Sequence, residues 1–437
     1  MIHPIQCSLK SLNKKKTIFN IFNIKNEARN LDYDFAVNYE YKFFYKGKEK
    51  IAGKANLINE FLKVEKDQIK LIDEIPFGED KKMYRPIINH KKDAEWLKKA
   101  QRKFHKIIIK GLGNIEYLHS TTKGTSYASN GRAHAGYSER YLLSLDISSF
   151  FTGISQKRVF KTLKEYLLID SDIAYYYSKM LTAPLEKNSK ELFLAQGLPS
   201  SPIIAYLCYK SLFDYINDVC AELNIKFTLY VDDMTFSSEK RIPQVFINKV
   251  LGILKSKKYN NNLIINKRKT HNYKKKTRKK VTGVYINNGV PTISGKKHFE
   301  LFVLYTKLIE IIHGRIDNID DYFDFYNLFL KFSGNLIHLF QVEHNGDINA
   351  PTGCFAHDKM ANFYKTISHY IKPGLPKKEN NKKYSKDNIN KESLKIAETS
   401  YSALIKNLDK INKEFPQLNR DILQNSFYPT DNISKNS

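Results

Sequence analysis

The sequence predicts an α+β protein, and three observations support that fold class. Two apolar segments, 141–146 and 225–232, are typical of buried strands, and both end in acidic residues. Helical periodicity occupies the segments before, between and after them: 93–111, 159–168, 201–223, 297–312 and 320–340. A second short strand is expected directly after the acids at 232–233, which predicts a hairpin with two carboxylates at its turn.

Composition indicates a folded, strongly basic chain. Of 437 residues, 72 are Lys or Arg and 45 are Asp or Glu, which gives a net charge of +27. The 42% hydrophobic content and the 27 Phe and 28 Tyr exclude disorder for most of the chain. The charge predicts a polyanionic partner, most simply nucleic acid, although a basic protein from a Lys/Asn-rich genome would have the same balance.

Other features of the sequence predict a cytoplasmic protein with no membrane partner. Every apolar run is far shorter than the roughly 20 residues of a membrane-spanning helix. The first 24 residues mix charged and apolar side chains, unlike a secretory signal. The four cysteines are far apart and form no CxxC pair, so neither a disulfide scaffold nor a zinc knuckle is expected.

Positive charge is concentrated in one segment. Residues 251–283 contain 12 Lys or Arg and no Asp or Glu, including the run KKKTRKK at 274–280. A solvated loop usually carries both signs, so this segment is expected to face phosphates. A basic hairpin without a ligand is the alternative.

Three carboxylates are the candidates for chemistry. Asp146 ends one predicted strand, and Asp232 and Asp233 occupy the predicted hairpin turn. Acids at the ends of buried strands are costly unless a cation accompanies them. Two Mg²⁺ ions, for which Mn²⁺ can substitute, would suit such a site and would support in-line phosphoryl transfer. For an isolated Asp-Asp pair, an ordinary turn is the simpler explanation.

Three motifs in order give these acids a context. They are LDISSFF (145–151), QGLPSSP (196–202) and YVDD (230–233). Together they resemble the reverse transcriptases, which are RNA-directed DNA polymerases. The resemblance implies a right-hand polymerase with fingers, a palm of antiparallel sheet and helices, and a helical thumb. The expected divisions are an N-terminal extension (1–80), fingers (81–143), palm (144–290), thumb (291–372), polar linker (373–393) and C-terminal helical appendix (394–437).

The resemblance also implies roles for single residues. Asp146, Asp232 and the Ile147 carbonyl would bind metal, and Asp233 would be the second acid of the turn. Phe151 would exclude a ribose 2′-OH, although core packing alone could also explain a phenylalanine there. The expected nucleotide contacts and the expected general acid are Gln196, Gly197, Arg85 and Lys269. Arg85 is equally compatible with a surface salt bridge.

Two further motifs favour a branch of this family. NGRAH (130–134) resembles an insertion of the bacterial retron-type and defence-associated reverse transcriptases, with Gly131 where the pattern has alanine, and VTG (281–283) resembles their VTG motif. Such enzymes work with a structured noncoding RNA. The residues expected to contact nucleic acid are Asn130, His134, Lys274, Lys275, Lys276, Arg278, Lys279, Lys280, Val281, Thr282 and Gly283.

The sequence therefore predicts an RNA-directed DNA polymerase in anti-phage defence. Its expected template is an associated noncoding RNA, which is also a candidate primer, and its expected substrates and product are deoxynucleoside triphosphates and cDNA. An effector protein or a second copy of the chain is a further candidate partner. Untemplated or protein-primed synthesis by the same site and a non-catalytic RNA-binding scaffold stay open as alternatives.

Overall fold

The structure is a computed structural model that describes eleven segments of the chain. They are residues 40–45, 48–53, 69–77, 83–90, 95–136, 139–183, 191–194, 197–256, 263–314, 316–371 and 391–416. Before residue 98 only the backbone is described. Among the described residues, no helix is both long enough and apolar enough to cross a membrane.

Two hairpins and two helices precede the central sheet. Strand β1 (Glu40–Tyr45) pairs with β2 (Lys48–Gly53), and β3 (Ile69–Phe77) pairs with β4 (Met83–His90), both antiparallel. Helix α1 (Glu95–Leu112) follows. Helix α2 (Tyr127–Arg132) begins at a capping box between Ser126 and Ser129, which satisfies two N–H groups at its start.

A four-stranded antiparallel sheet carries the predicted acids. Its strands are β5 (Tyr141–Asp146), β6 (Lys226–Tyr230), β7 (Asp233–Ser238) and β8 (His271–Tyr273), in the order β6-β7-β5-β8. The sequence predicted the bounds of β5 and the hairpin of β6 and β7. Because β5 lies between two partners, its apolar residues are buried on both faces, which is why its sequence lacks alternation.

Four helices belong to the same unit as this sheet. They are α3 (Gln156–Lys161), α4 (Ser171–Leu181), α5 (Ser201–Glu222) and α6 (Gln244–Leu254). Helix α3 continues into a π-helical turn at Thr162–Tyr166, where the sequence predicted one helix over 159–168. Helix α5 is the most buried, because apolar side chains surround much of its circumference. Pro202 fits its first turn, where a missing N–H costs nothing.

A second unit contains a three-stranded antiparallel meander and five helices among its described residues. The strands are β9 (Lys279–Val281), β10 (Val284–Asn287) and β11 (Val290–Thr292). The helices are α7 (Gly295–His313), α8 (Ile319–Glu343), α9 (Phe355–Tyr370), α10 (Lys391–Lys406) and α11 (Leu408–Glu414). The side chains of Ser294 and Asn318 cap the N-termini of α7 and α8.

The chain divides into these two units at Thr277–Arg278. The first contains the described residues up to His134 and Glu139–Thr277, and the second contains Ala135, Gly136 and the described residues from Arg278 onward. The chain therefore enters the second unit briefly after His134 and returns. The meander groups with the helices that follow it. The finger, palm and thumb bounds stay predictions.

Candidate active site

The three acids lie together at one end of the central sheet. Asp146 is the last residue of β5, and its Cα pairs with that of Asp233 at the start of β7. The backbone N–H of Ile147 donates to the carbonyl of Asp232 at 3.1 Å, which joins the end of β5 to the turn. Asp146 is buried at 6% exposure, whereas Asp232 and Asp233 are half-buried. Antiparallel pairing thus brings together acids that are 86 positions apart.

The turn that carries Asp232 has a strained backbone. Val231 adopts a φ of +59°, a left-handed conformation that is unfavourable for a β-branched residue. The Ser120 hydroxyl accepts a hydrogen bond from the Val231 N–H at 3.2 Å. Residues 117–119 also bond to β6, where the Leu229 N–H donates to the Tyr117 carbonyl at 2.7 Å. The loop before α2 therefore holds the turn in place, as strained conformations require.

A lysine provides the positive charge beside Asp146. The Lys269 Nζ donates to Asp146 Oδ1 at 2.7 Å, and 42% of the lysine side chain is exposed. Lys269 lies on a short 3₁₀ turn, Lys267–Lys269, just before β8. The backbone N–H of Asn266 donates to the Asp146 carbonyl at 2.8 Å, which fixes this turn against the end of β5. The sequence predicted Lys269 near the site but not this ion pair.

The donors at this end of the sheet fit a divalent cation that prefers oxygen. Asp146 and Asp232 offer carboxylates. In extended backbone the N–H and carbonyl of one residue point to the same side, so the Ile147 carbonyl faces the Asp232 side, to which its N–H donates. Carboxylates, a backbone carbonyl and access to water form the donor set that Mg²⁺ prefers. The burial of Asp146 among apolar neighbours favours a cation there.

A cavity of about 290 Å³ opens beside the acids. Its walls come from three elements: the β6–β7 turn, the start of α5 with the loop before it, and the segment after β5. Phe151 forms part of the wall and is 7% exposed, with its ring 5.7 Å from that of Phe150. The lining residues are Phe151, Gly197, Leu198, Ser201, Pro202, Tyr230, Val231, Asp232 and Asp233.

The loop before α5 contributes its backbone to the wall. Gly197 has a φ of +101°, which L side chains rarely adopt, so glycine lets the chain turn at the cavity. The N-terminus of α5 lies on the same wall and favours negative charge. Gln196 lies outside the described residues. Arg85 lies on β4, where its Cα pairs with that of Ile75, and only its backbone is described.

Asn130 and His134, both expected to contact nucleic acid, lie inside the protein. Asn130 is 0% exposed and His134 is 2% exposed. The His134 ring bonds to the Ser237 hydroxyl through Nδ1 and to the Thr228 hydroxyl through Nε2, each at 2.7 Å. Burial, with smaller effects from His119, Lys226 and Arg140, lowers the pKa of His134 to about 3. The geometry therefore gives His134 a direct role in holding α2 to β6 and β7.

The basic residues form two hairpins with different exposure. Lys274, Lys276, Arg278 and Lys280 are exposed, whereas Lys279 is buried at 3%. Lys275 is half-buried, and its Nζ lies 5.9 Å from the centre of the Tyr141 ring. Arg278 and Lys280 lie over Tyr285, with Cζ at 4.2 Å and Nζ at 5.7 Å from the ring centre. Exposed cations around a tyrosine suit contact with phosphates and bases.

The VTG segment is a tight turn between β9 and β10. Thr282 and Gly283 have φ angles of +47° and +91°, and Val281 is buried at 1%. Thr282 is half-buried and Gly283 is exposed. Only the tip of this predicted RNA contact therefore faces outward.

A buried polar network supports the loop under the strained turn and escaped the sequence analysis. The Tyr117 hydroxyl donates to Asp214 Oδ1 at 2.6 Å and bonds to the Tyr206 hydroxyl at 2.9 Å. The Lys210 Nζ donates to Asp214 Oδ2 at 2.6 Å, and Lys210 is 7% exposed. This network ties the Tyr117 loop to α5. The i,i+4 spacing of Lys210 and Asp214 on a predicted helix was the one local signal for it.

Comparison with known proteins identifies the domain that contains this site. A sequence model of the family "Reverse transcriptase (RNA-dependent DNA polymerase)" matches residues 73–286. The retron Se72 reverse transcriptase of Salmonella heidelberg is 26% identical over 57% of this chain and 63% of its own length. The retron Ec83 reverse transcriptase of Escherichia coli is 27% identical over 45% of this chain and 62% of its own length. This chain thus spans less than two thirds of these relatives.

Solved structures give a weaker similarity. The telomerase of Candida albicans in complex with a fragment of telomeric RNA aligns at 13% identity and a TM-score of 0.37, over 89% of this chain and 73% of that one. The architecture described above has the α+β arrangement of sheet, helices and helical C-terminal unit that the sequence predicted. Residues 73–286 form a reverse transcriptase domain, and the chain is a relative of the bacterial retron-type enzymes.

Proposed function

We propose that this protein is an RNA-directed DNA polymerase that copies an associated noncoding RNA into cDNA. Three acids, a bulky aromatic side chain and a glycine turn adjoin one cavity, and this is the observation that carries the proposal. A scaffold that only bound RNA would have no need of a half-buried acid pair on a strained turn. The relatives' names support the same activity.

The residues of the site have distinct tasks in the proposed reaction. The primer hydroxyl attacks the α-phosphate of a deoxynucleoside triphosphate, and pyrophosphate leaves. Asp146, Asp232 and the Ile147 carbonyl would hold two Mg²⁺ ions, which supply charge neutralisation and an activated hydroxyl when bound. Lys269 is close enough to Asp146 to deliver its ammonium to the leaving phosphates, and its exposed side chain has room to move. Asp233 adds negative charge next to Asp232.

The cavity wall supports selection of the substrate. Phe151 occupies space at the rim of the cavity next to Gly197 and Tyr230, where a ribose 2′-OH would crowd the ring. The backbone at Gly197 allows close approach of the base and sugar, with Gln196 proposed beside it. We assign the triphosphate contact to Arg85, whose guanidinium suits phosphate oxygens.

We extend the proposal to the RNA and to the cell. The exposed cations of the two hairpins would bind the template and primer backbones, and the VTG turn would contact the structured RNA. The relation to retron enzymes supports a role in anti-phage defence, with an effector protein or a second copy as a further partner. Described cysteines that are free rather than paired support the cytoplasm as the place of action.

The test is to purify the protein from its native locus and to sequence the nucleic acid that accompanies it. The matched control is the double variant Asp232→Ala, Asp233→Ala, which keeps the basic hairpins. We expect one noncoding RNA in both preparations, and a DNA complementary to part of that RNA only in the wild type. Phage plating with the same two strains then tests the defence role.

Other outcomes would overturn parts of the proposal. A homopolymer or short repeat unrelated to the bound RNA would mean untemplated synthesis. DNA joined to a tyrosine would mean protein priming. RNA without DNA in the wild type would leave a scaffold, and DNA in both preparations would mean that these acids are not catalytic.

A further inference from the structure

The second unit contains a cluster of metal-binding side chains far along the chain from the acids of the polymerase site. Glu343 is the last residue of α8, His344 follows it, and His357 lies in the first turn of α9. One ligand atom from each lies within 4.8 Å of the others. His344 and Glu343 are half-buried and His357 is buried at 7% exposure. The cluster therefore joins the end of one helix to the start of the next.

We infer that Glu343, His344 and His357 form a Zn²⁺ site that fastens the junction of α8 and α9. Two imidazole nitrogens and a carboxylate oxygen are a common three-ligand set for zinc, with a water molecule as the fourth ligand. Imidazole donors favour zinc and related transition metals over Mg²⁺, which prefers oxygen. The inference is independent of the polymerase chemistry, because it concerns other residues and another metal.

The distance between the two imidazoles fits this assignment. His344 Nε2 and His357 Nδ1 are 3.2 Å apart. Two nitrogens bound to one tetrahedral zinc at about 2.0–2.1 Å are about 3.3 Å apart. The same distance suits a hydrogen bond between the two rings, so metal binding itself is the property to measure.

The carboxylate is held in place by its own partners. Glu343 Oε1 accepts hydrogen bonds from the Thr292 hydroxyl at 2.7 Å and the Ile293 N–H at 2.9 Å, and His298 Nε2 lies 2.9 Å away. Metal-binding carboxylates are typically oriented by such outer hydrogen bonds. The His298 ring also stacks on that of His357 at 5.7 Å between centres. The ligands are therefore preorganised by β11 and α7.

Charge and protonation favour a cation at this place. The C-terminal end of α8 carries the negative end of the helix dipole, next to the Glu343 carboxylate. Burial lowers the pKa of His357 to about 4 and also lowers the pKa of His344, so both rings are neutral at pH 7. Neutral imidazole is the form that binds metal.

The test measures zinc in the full-length protein, with excess Mg²⁺ present to occupy oxygen-donor sites. The variants are His344→Ala and His357→Gln, and His369→Ala is the control, because His369 is an exposed histidine on the same helix α9. Each protein is dialysed against Zn²⁺, then against metal-free buffer, and its metal content is measured by plasma mass spectrometry. Cobalt is added to parallel samples as a spectroscopic probe.

We expect the wild type and His369→Ala to retain one zinc more per chain than His344→Ala and His357→Gln. With Co²⁺, the first pair should show the strong visible absorption of a tetrahedral site, and the second pair should lose it. Zinc should also raise the melting temperature of the first pair alone. Equal zinc content in all four proteins, or no zinc in the wild type, would overturn the site. Circular dichroism shows whether His357→Gln has folded, and the half-exposed His344 gives the deciding variant if it has not.

Discussion

Single residues at the polymerase site have two kinds of task, and exposure separates them. Asp232, Asp233 and Phe151 border the cavity, whereas Ser120 acts through the hydrogen bond it accepts from the turn. The sequence predicted the first kind, because short motifs contain them. It could not predict Ser120, because its contact with Val231 spans 111 positions and no local pattern indicates it.

Phe151→Ala should increase the use of ribonucleotides. Removing the ring opens the cavity wall where a 2′-OH would clash, and a steric contact of this size corresponds to about 1–3 kcal/mol, or roughly 10–200-fold in discrimination. The measurement is the ratio of kcat/KM for a deoxynucleotide and its ribonucleotide on the same primed RNA. Phe150→Leu is the control, because that ring stacks on Tyr209 and is not part of the wall. An unchanged ratio in Phe151→Ala would remove the sugar-selection role.

At the scale of elements, one buried histidine joins α2 to the central sheet. Sequence spacing made Asn130 and His134 look like an RNA contact, yet the hydrogen-bond partners of His134 lie 94 and 103 positions away on β6 and β7. Only the tertiary fold brings them together. The bounds of β5 were predictable because a buried apolar run ended by an acid is a local signal. Helix α9 was not predicted, although Ala356, Met360, Phe363 and Ile367 repeat at helical spacing.

His134 should make the protein less stable in acid. The pKa of the folded state is about 3 and the model value is 6.5, so the unfolded chain takes up a proton first as the pH falls. The contribution is complete above pH 6.5 and decreases by up to about 1.4 kcal/mol for each pH unit below it, until the pH nears the folded value. Urea unfolding between pH 7 and about 4 measures it.

His134→Gln is the comparison variant, because an amide can still donate and accept a hydrogen bond. It should be less stable at pH 7 and show a shallower loss of stability in acid. Other buried histidines titrate in both proteins, so the difference between the two curves isolates His134. Parallel curves would mean that the ring is protonated in the folded protein.

At the scale of the whole molecule, the charge of +27 has an identifiable concentration. The basic segment crosses the boundary between the two units, with Lys274 and Lys276 in the first and Arg278 and Lys280 in the second. The sequence predicted the concentration of charge but not that Lys279 is buried, because alternation along β9 becomes visible only once the strand is known. The described core of the first unit followed from periodicity, whereas the Glu343 cluster required the fold.

Replacing Lys274, Lys276, Arg278 and Lys280 by Ala should weaken RNA binding and flatten its dependence on salt. Each phosphate neutralised on a single strand contributes about 0.7 to the slope of log K against log salt, so four lost contacts reduce it by up to about 3. Filter binding at several salt concentrations measures the slope. The control replaces Lys391, Lys395, Lys410 and Lys413, four exposed lysines of α10 and α11, and removes the same charge. Equal slopes for both variants would mean that only net charge matters.

The brief excursion of the chain after His134 has a consequence for exchanging parts between related proteins. The Gly136 N–H donates to the Gly289 carbonyl at 2.9 Å, and a Cβ at Gly289, which has a φ of +79°, would come within 1.9 Å of the Gly136 oxygen. A chimaera with a single crossover at residue 278 would keep one half of this glycine pair and import the other. Compatible hybrids therefore need two crossovers, or a donor that has glycine at both places.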